Sequence, residues 1–184
     1  MYIVNLSKPE KYYRQNNNEL SPLIRCKPTS TVECLDLAGW EPEQIITGDY
    51  RQPEDNLTDY IEKTYGKDAP EDWTAIIKAV RHFYGQTVCR FHSGWDLPAV
   101  MRAVSNGNPC SLSTRLTQGG HVVTFVGYEI DEQRKEVTSV IINDPFGNKT
   151  SGIYDTGASG FNNKYKYKVF EALYKQFGLE VFKK

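Results

Sequence analysis

Four cysteines and three histidines are the side chains of this 184-residue sequence that could run thiol chemistry. A thiolate attacks carbonyl carbon well, and a helix N-terminus favours the thiolate by placing partial positive charge beside it. Cys26 is the cysteine in such a place. Pro28 suits a first helical turn, Thr29 or Ser30 could satisfy free amides there, and apolar Val32, Leu35, Leu37 and Ala38 follow up to a stop at Gly39. A nucleophile of this kind needs a base. His82 lies on the polar side of an amphipathic stretch and reads as solvated surface, and His92 closes a short strand and reads as structural. His121 follows Gly119-Gly120 and opens the most apolar strand of the chain, where paired glycines imply close approach of another chain or a substrate.

A third group should orient the imidazole. Asp144 follows the next apolar strand and precedes Pro145 and Gly147, a turn-forming combination in its own right. If 121–129 and 137–143 pair as a hairpin around the polar 131–135 segment, the start of one strand lies beside the end of the other. His121 and Asp144 then share one end of a sheet. Together Cys26, His121 and Asp144 have the types and order of a nucleophile–base–orienter triad. An oxyanion would need two donors. The Cys26 amide can supply one, and the side-chain amide of Gln15, Asn16, Asn17 or Asn18 the other.

The elements that must position these groups follow from periodicity. Helices are expected from Cys26 to Gly39, from Pro53 onward, over 71–84 (Trp73, Ile76, Ile77, Val80, Phe83 and Tyr84 on one stripe) and over 97–105. Short strands are expected at 87–92, 109–115, 121–129 and 137–143, with 164–170 as an edge strand guarded by alternating lysines. Residues 147–163, rich in Gly, Ser and Asn, read as a long surface loop. Tyr154, Phe161, Tyr165 and Tyr167 read as core and edge packing. Helices first and antiparallel strands later give an α+β class, in one domain spanning 1–184.

Around these residues the chain resembles papain-like cysteine peptidases related to the double-glycine leader peptidases of bacteriocin exporters. It is most similar to their free-standing relatives among phage and bacterial cell-wall enzymes. The stretches that carry the resemblance are Arg14-Gln15-Asn16-Asn17-Asn18-Glu19, Cys26-Lys27-Pro28-Thr29-Ser30, Gln52-Pro53-Glu54-Asp55, Gly107-Asn108-Pro109, Gly119-Gly120-His121-Val122-Val123 with Gly127-Tyr128, and Asn143-Asp144-Pro145-Phe146-Gly147. The resemblance implies a papain-like fold with Cys26 as nucleophile, His121 as general base, Asp144 as its orienter and Gln15 as the oxyanion-hole glutamine. Lys27 and the segment Thr31-Val32-Glu33-Cys34 depart from the usual small or apolar residues. The implied substrate is a stem peptide or cross-bridge of bacterial peptidoglycan, cleaved by an endopeptidase of the endolysin kind. An N-acetylmuramoyl-L-alanine amidase with the same triad, or an inactive wall-binding or virion domain, are the alternatives.

Composition bounds the rest. Twenty-two basic and twenty-three acidic residues leave a charge of −1, against a nucleic-acid partner. No apolar run approaches the roughly 20 residues that cross a bilayer, and the first residues carry no secretory pattern. The expectation is a monomer made in a bacterial host cytoplasm that acts on the wall after release. The chemistry needs no cofactor, although the carboxylates of Asp49, Glu54, Asp55 and Asp59 raise the prospect of a structural calcium ion. Cys26 and Cys34 are eight residues apart on one helix, roughly 12 Å, too far for a disulfide. Cys34, Cys89 and Cys110 are therefore expected in the core.

Overall fold

A computed structural model describes residues 1–45, 50–150 and 153–184. Its central element is a seven-stranded antiparallel sheet formed by β1 (Tyr2–Asn5), β2 (Cys89–Ser93), β3 (Cys110–Thr114), β4 (His121–Asp131), β5 (Glu136–Asn143), β8 (Asn163–Lys166) and β9 (Tyr174–Val181). The strand order is β2-β9-β3-β4-β5-β8, and β1 pairs with the far half of β4. A separate hairpin joins β6 (Asn148–Thr150) to β7 (Ile153–Asp155).

Helices cover both faces. α1 (Cys26–Leu37), α2 (Pro53–Tyr65) and α3 (Trp73–Tyr84) bury Val32, Leu35, Leu57, Ile61, Ile76 and Val80 together with Val122, Leu179 and Val181 of the sheet. On the opposite face, α4 (Leu97–Ser105) and α5 (Tyr167–Leu173) bury Val100, Val104 and Phe170 with Leu112, Val123, Phe125 and Ile142. Burial on both faces is why β4 reads as a continuous apolar run instead of an alternating one. The expected α+β architecture is observed, and Cys34, Cys89 and Cys110 are buried as expected.

The structure corrects three expectations. The 164–170 strand ends at Lys166, and α5 follows at once. The lysine alternation fits a strand, but helical spacing gathers Tyr167, Phe170, Leu173 and Tyr174 into one cluster, with Phe170 fully buried. Burial of that stripe outweighs the edge-strand pattern. The supposed loop at 147–163 contains the β6–β7 hairpin. Thr29 does not cap α1: its hydroxyl donates to the Arg25 carbonyl at 2.8 Å, leaving the first-turn amides of α1 without a side-chain cap. Strands β1 and β9 carried no clear sequence signal. β9 nevertheless lies inside the sheet, between β2 and β3.

Glu33 explains the polar departure within α1. It is fully buried, accepts from Asn143 Nδ2, and meets Thr124 Oγ1 at 3.0 Å. Burial pushes its carboxyl up to about 8, against smaller opposing effects of those two hydrogen bonds. The group is therefore neutral at pH 7. Thr124 can accept the Glu33 proton while turning its own hydrogen to Ser30 O at 3.4 Å. A carboxyl raised in the folded state stabilises fully below its ordinary value of 4.5, and that stability is lost as pH climbs to about 8. Glu33→Gln should remove a slope of about 1.4 kcal/mol per pH unit over that window. Urea unfolding from pH 5 to 8 tests this; identical slopes for the two proteins would show that Glu33 is ionised in the fold.

Candidate active site

Cys26 is the first residue of α1 and is partly exposed, whereas the other three cysteines are buried. Burial pushes the Cys34 and Cys110 thiols well up, and the Cys89 thiol to about 11. His121 opens β4 opposite Thr114, and Asp144 follows the last residue of β5. The expected hairpin brings the two together: His121 Nε2 lies 2.7 Å from Asp144 Oδ1, with both side chains buried. Nε2 is thereby occupied, and Cys26 lies close enough to the same imidazole to act on its charge. The three residues chosen from sequence form one contiguous chain of contacts.

Burial alone would push the His121 imidazole down. The Asp144 carboxylate outweighs it through charge and hydrogen bonding, Cys26 adds to the effect, and the group rises to about 10. His121 therefore carries a proton at neutral pH.

The Asp144 carboxylate is held on every side. Oδ1 also accepts from the Phe146 amide at 2.9 Å, and Oδ2 accepts from the Tyr154 hydroxyl. The Asp144 backbone carbonyl accepts from Tyr12 Oη at 2.7 Å, and its amide donates to Gly160 O at 2.9 Å. A side chain at Gly160 would collide with the Asp144 carbonyl, so only glycine lets this loop approach. The Tyr154 and Phe146 rings flank the imidazole, with centroids 5.8 and 6.1 Å away. Tyr154 was missed as a site residue because the hairpin bearing it consists of two three-residue strands inside a loop-like composition. Tyr12 lies in an N-terminal segment without periodicity.

Gln15 sits in a short 3-10 turn, 15–17, and is buried. Its backbone amide donates to Pro145 O at 2.9 Å, which ties it to the turn after Asp144. Its side-chain nitrogen donates to Pro22 O at 2.7 Å, leaving one amide hydrogen uncommitted there. Gln15 lines a 330 Å³ cavity with Cys26, His121, Leu23, Ile24 and Phe146. Asn16 instead donates to Phe146 O and Thr156 O. Across the Cys26–His121 pair, a second cavity of 480 Å³ is walled by Trp73, Ile77, Phe91 and Phe177. One cleft thus runs past both sides of the thiol.

Residues 9–176 match the Peptidase_C39-like family. The chain belongs to that family. The matched span contains Gln15, Cys26, His121 and Asp144. A solved structure described as a C39-like peptidase from Bacillus anthracis is similar over 100% of this chain and 99% of that one, with a TM-score of 0.64 and 16% identity. At that identity the likeness concerns the fold. No curated protein matches the chain.

Other sequence candidates stand in structural roles. His92 bonds to Glu180 at 2.8 Å and stacks on Trp95, and His82 stacks on Tyr60. Of the carboxylates raised for calcium, Asp55 accepts from the Glu19 and Leu20 amides and Asp59 pairs with Lys63. Asp49 lies outside the described residues. Among the described residues no cluster of three or more His, Cys, Asp or Glu could hold a metal ion. No helix among them is long and apolar enough to cross a membrane.

Asp144→Asn keeps the shape and removes the charge. The His121 imidazole should then titrate well below 10, toward or under its ordinary 6.5, because the strongest opposition to burial would be gone. An NMR titration of the imidazole protons reads this directly; an unmoved midpoint would show that Asp144 is not what raises it.

Proposed function

We propose that the chain is a cysteine peptidase that cleaves peptide bonds in bacterial peptidoglycan, in the manner of an endolysin endopeptidase. Membership of the Peptidase_C39-like family supports the peptidase activity. The observation that carries the mechanism is the buried His121–Asp144 contact ending at a partly exposed thiol on a helix N-terminus. The wall substrate rests on the resemblance of the Cys-Lys-Pro-Thr-Ser, Gly-Gly-His and Asp-Pro-Phe-Gly blocks to cell-wall enzymes.

In this reading the protonated His121 stabilises the Cys26 thiolate. The sulfur attacks the scissile carbonyl, and the oxyanion is met by the Cys26 amide and the free hydrogen of Gln15 Nε2. His121 then gives its proton to the leaving amine. It next takes a proton from water, which attacks the thioester and frees Cys26. Asp144 keeps Nε2 engaged throughout, so the other ring nitrogen faces the sulfur. Tyr154, through Asp144, is a positioning residue.

Cys26→Ala should abolish release of soluble fragments from purified peptidoglycan with the circular dichroism spectrum unchanged. Retained release would refute Cys26 as nucleophile. Mass spectrometry of wild-type products decides the bond: new amino termini within stem peptides or cross-bridges support the endopeptidase, whereas intact freed stems would indicate an amidase. Gln15→Ala should lower kcat by about 10²-fold with little change in KM. A change confined to KM would place Gln15 in substrate binding instead.

A further inference from the structure

Beside the cleft lies a third cavity, of 410 Å³, lined by Arg115, Leu116, Thr117, Gln118, Gly120, Lys149 and Lys175. Three cations and no carboxylate form its wall, in a chain whose acidic and basic residues almost balance. Among the described residues none of the three pairs with a carboxylate. The opposite wall of the cleft is different. There Glu71 is shared between Arg25 and Lys27, and Asp72 caps the Thr74 amide.

The cationic cavity is built into the fold. The 117–120 turn is closed by Gly120 N to Thr117 O at 3.1 Å and Thr117 Oγ1 to Gly120 O at 2.6 Å. Lys149 donates one hydrogen to Leu116 O at 2.6 Å, which holds its ammonium over this turn. Arg115 is fixed through its amide to Leu173 O at 2.8 Å. Lys175 lies where the β3–β9 register shifts and next to Gln176 with its φ of 59°; irregular stretches of this kind re-aim side chains.

Gly120 shows where Lys175 points. Its φ is +87°, and a Cβ built there would lie 2.7 Å from Lys175 Nζ. What approaches Gly120, one residue before His121, is thus an ammonium of this same protein, where the paired glycines had implied another chain or a substrate. Lys175 also lines the 480 Å³ cavity that contains Cys26. The cationic cavity and the catalytic cleft are joined at this side chain.

We propose that Lys175, Lys149 and Arg115 form a carboxylate subsite that selects acidic peptides for cleavage at Cys26. The carboxylate comes either from an acidic side chain or from a free chain terminus; lysine and arginine bind both by charge-assisted hydrogen bonds. This inference rests on the peptidase reading for its substrate.

The test uses the whole protein and matched peptides. One pair differs by Glu against Gln with amidated termini; a second pair carries Gln and differs by a free against an amidated C-terminus. The wild type should favour one acidic member by about tenfold in kcat/KM, and the pair showing it identifies the carboxylate's source. The preference should shrink with added salt and approach unity in Lys175→Met and in Lys149→Met, each checked for an unchanged melting temperature. Cleavage of all four peptides at equal rates would overturn the subsite and leave the peptidase reading intact. A parallel measurement does not require peptide cleavage: the rate of Cys26 alkylation by iodoacetate relative to iodoacetamide. If no peptide is cut, the peptidase reading is what fails. In that event a ratio lowered several-fold by Lys175→Met supports the subsite, and an unchanged ratio overturns it.

Discussion

The contact between His121 and Asp144 sets the terms for everything around it. A carboxylate taken fully out of water is tolerated only when its oxygens find donors. Asp144 finds three, the imidazole, the Phe146 amide and the Tyr154 hydroxyl, while its backbone carbonyl accepts from Tyr12. Meeting that demand brings the N-terminal segment, the end of β5 and the β6–β7 hairpin to one point. Gly160 supplies the last surface, where any side chain would intrude. The polarity of the imidazole follows from the same contact, because the charge that must be buried is also what keeps the proton on His121 at neutral pH.

A second buried carboxyl works by the opposite rule. Among the described residues Glu33 pairs with no cation, and burial keeps it neutral. Its contact with Asn143 joins the middle of α1 to the residue before Asp144, while Asn143 Oδ1 accepts from the Asn162 amide and Ser7 Oγ. The helix that begins with Cys26 and the strand that ends at Asp144 are therefore fixed to each other by a polar network under the site. Small polar residues in α1 serve the same end, as when Ser30 Oγ donates to Val122 O at 3.2 Å, one residue after His121. The tolerance of a thiol–imidazole contact is a few tenths of an ångström, and such hydrogen bonds fix register more sharply than apolar packing does.

The meeting of Cys26, His121 and Asp144 was legible because each sits at a boundary between elements. Cys26 begins a helix, His121 begins a strand after a turn, and Asp144 follows a strand, and boundaries of this kind leave Pro and Gly signals. The helical stripe expected over 71–84 and the apolar run expected over 121–129 were legible for the same local reason. What escaped is non-local. β9 acquires its place from partners sixty or more residues away, and a sequence such as Tyr-Lys-Gln-Phe-Gly-Leu-Glu-Val has no pattern that names them. Tyr154 escaped because three-residue strands give no period to detect, and its role exists only once Asp144 is beside it. α5 shows two patterns in one segment: lysines spaced for a strand edge and aromatics spaced for a helix. Only the presence of Phe125 and Tyr165 around Phe170 decides between them.

Electrostatics gives the cleft a direction. On the side of Glu71 and Asp72 each carboxylate is already answered, by Arg25 and Lys27 or by a helix amide. Beyond Gly120 the ammonium groups of Lys175 and Lys149 and the Arg115 guanidinium have no such partners among the described residues, and the protonated His121 lies between the two regions. The unanswered field is therefore positive and concentrated on one flank of the thiol. Of the three, Lys149 and Lys175 are partly enclosed, and field lines from such charges reach a ligand more strongly than those from exposed ones, since less water intervenes. Gly120 is what permits this arrangement. Its missing side chain admits the Lys175 ammonium, and its positive φ turns the chain into β4, so one residue serves both the backbone path to His121 and the charge beside it.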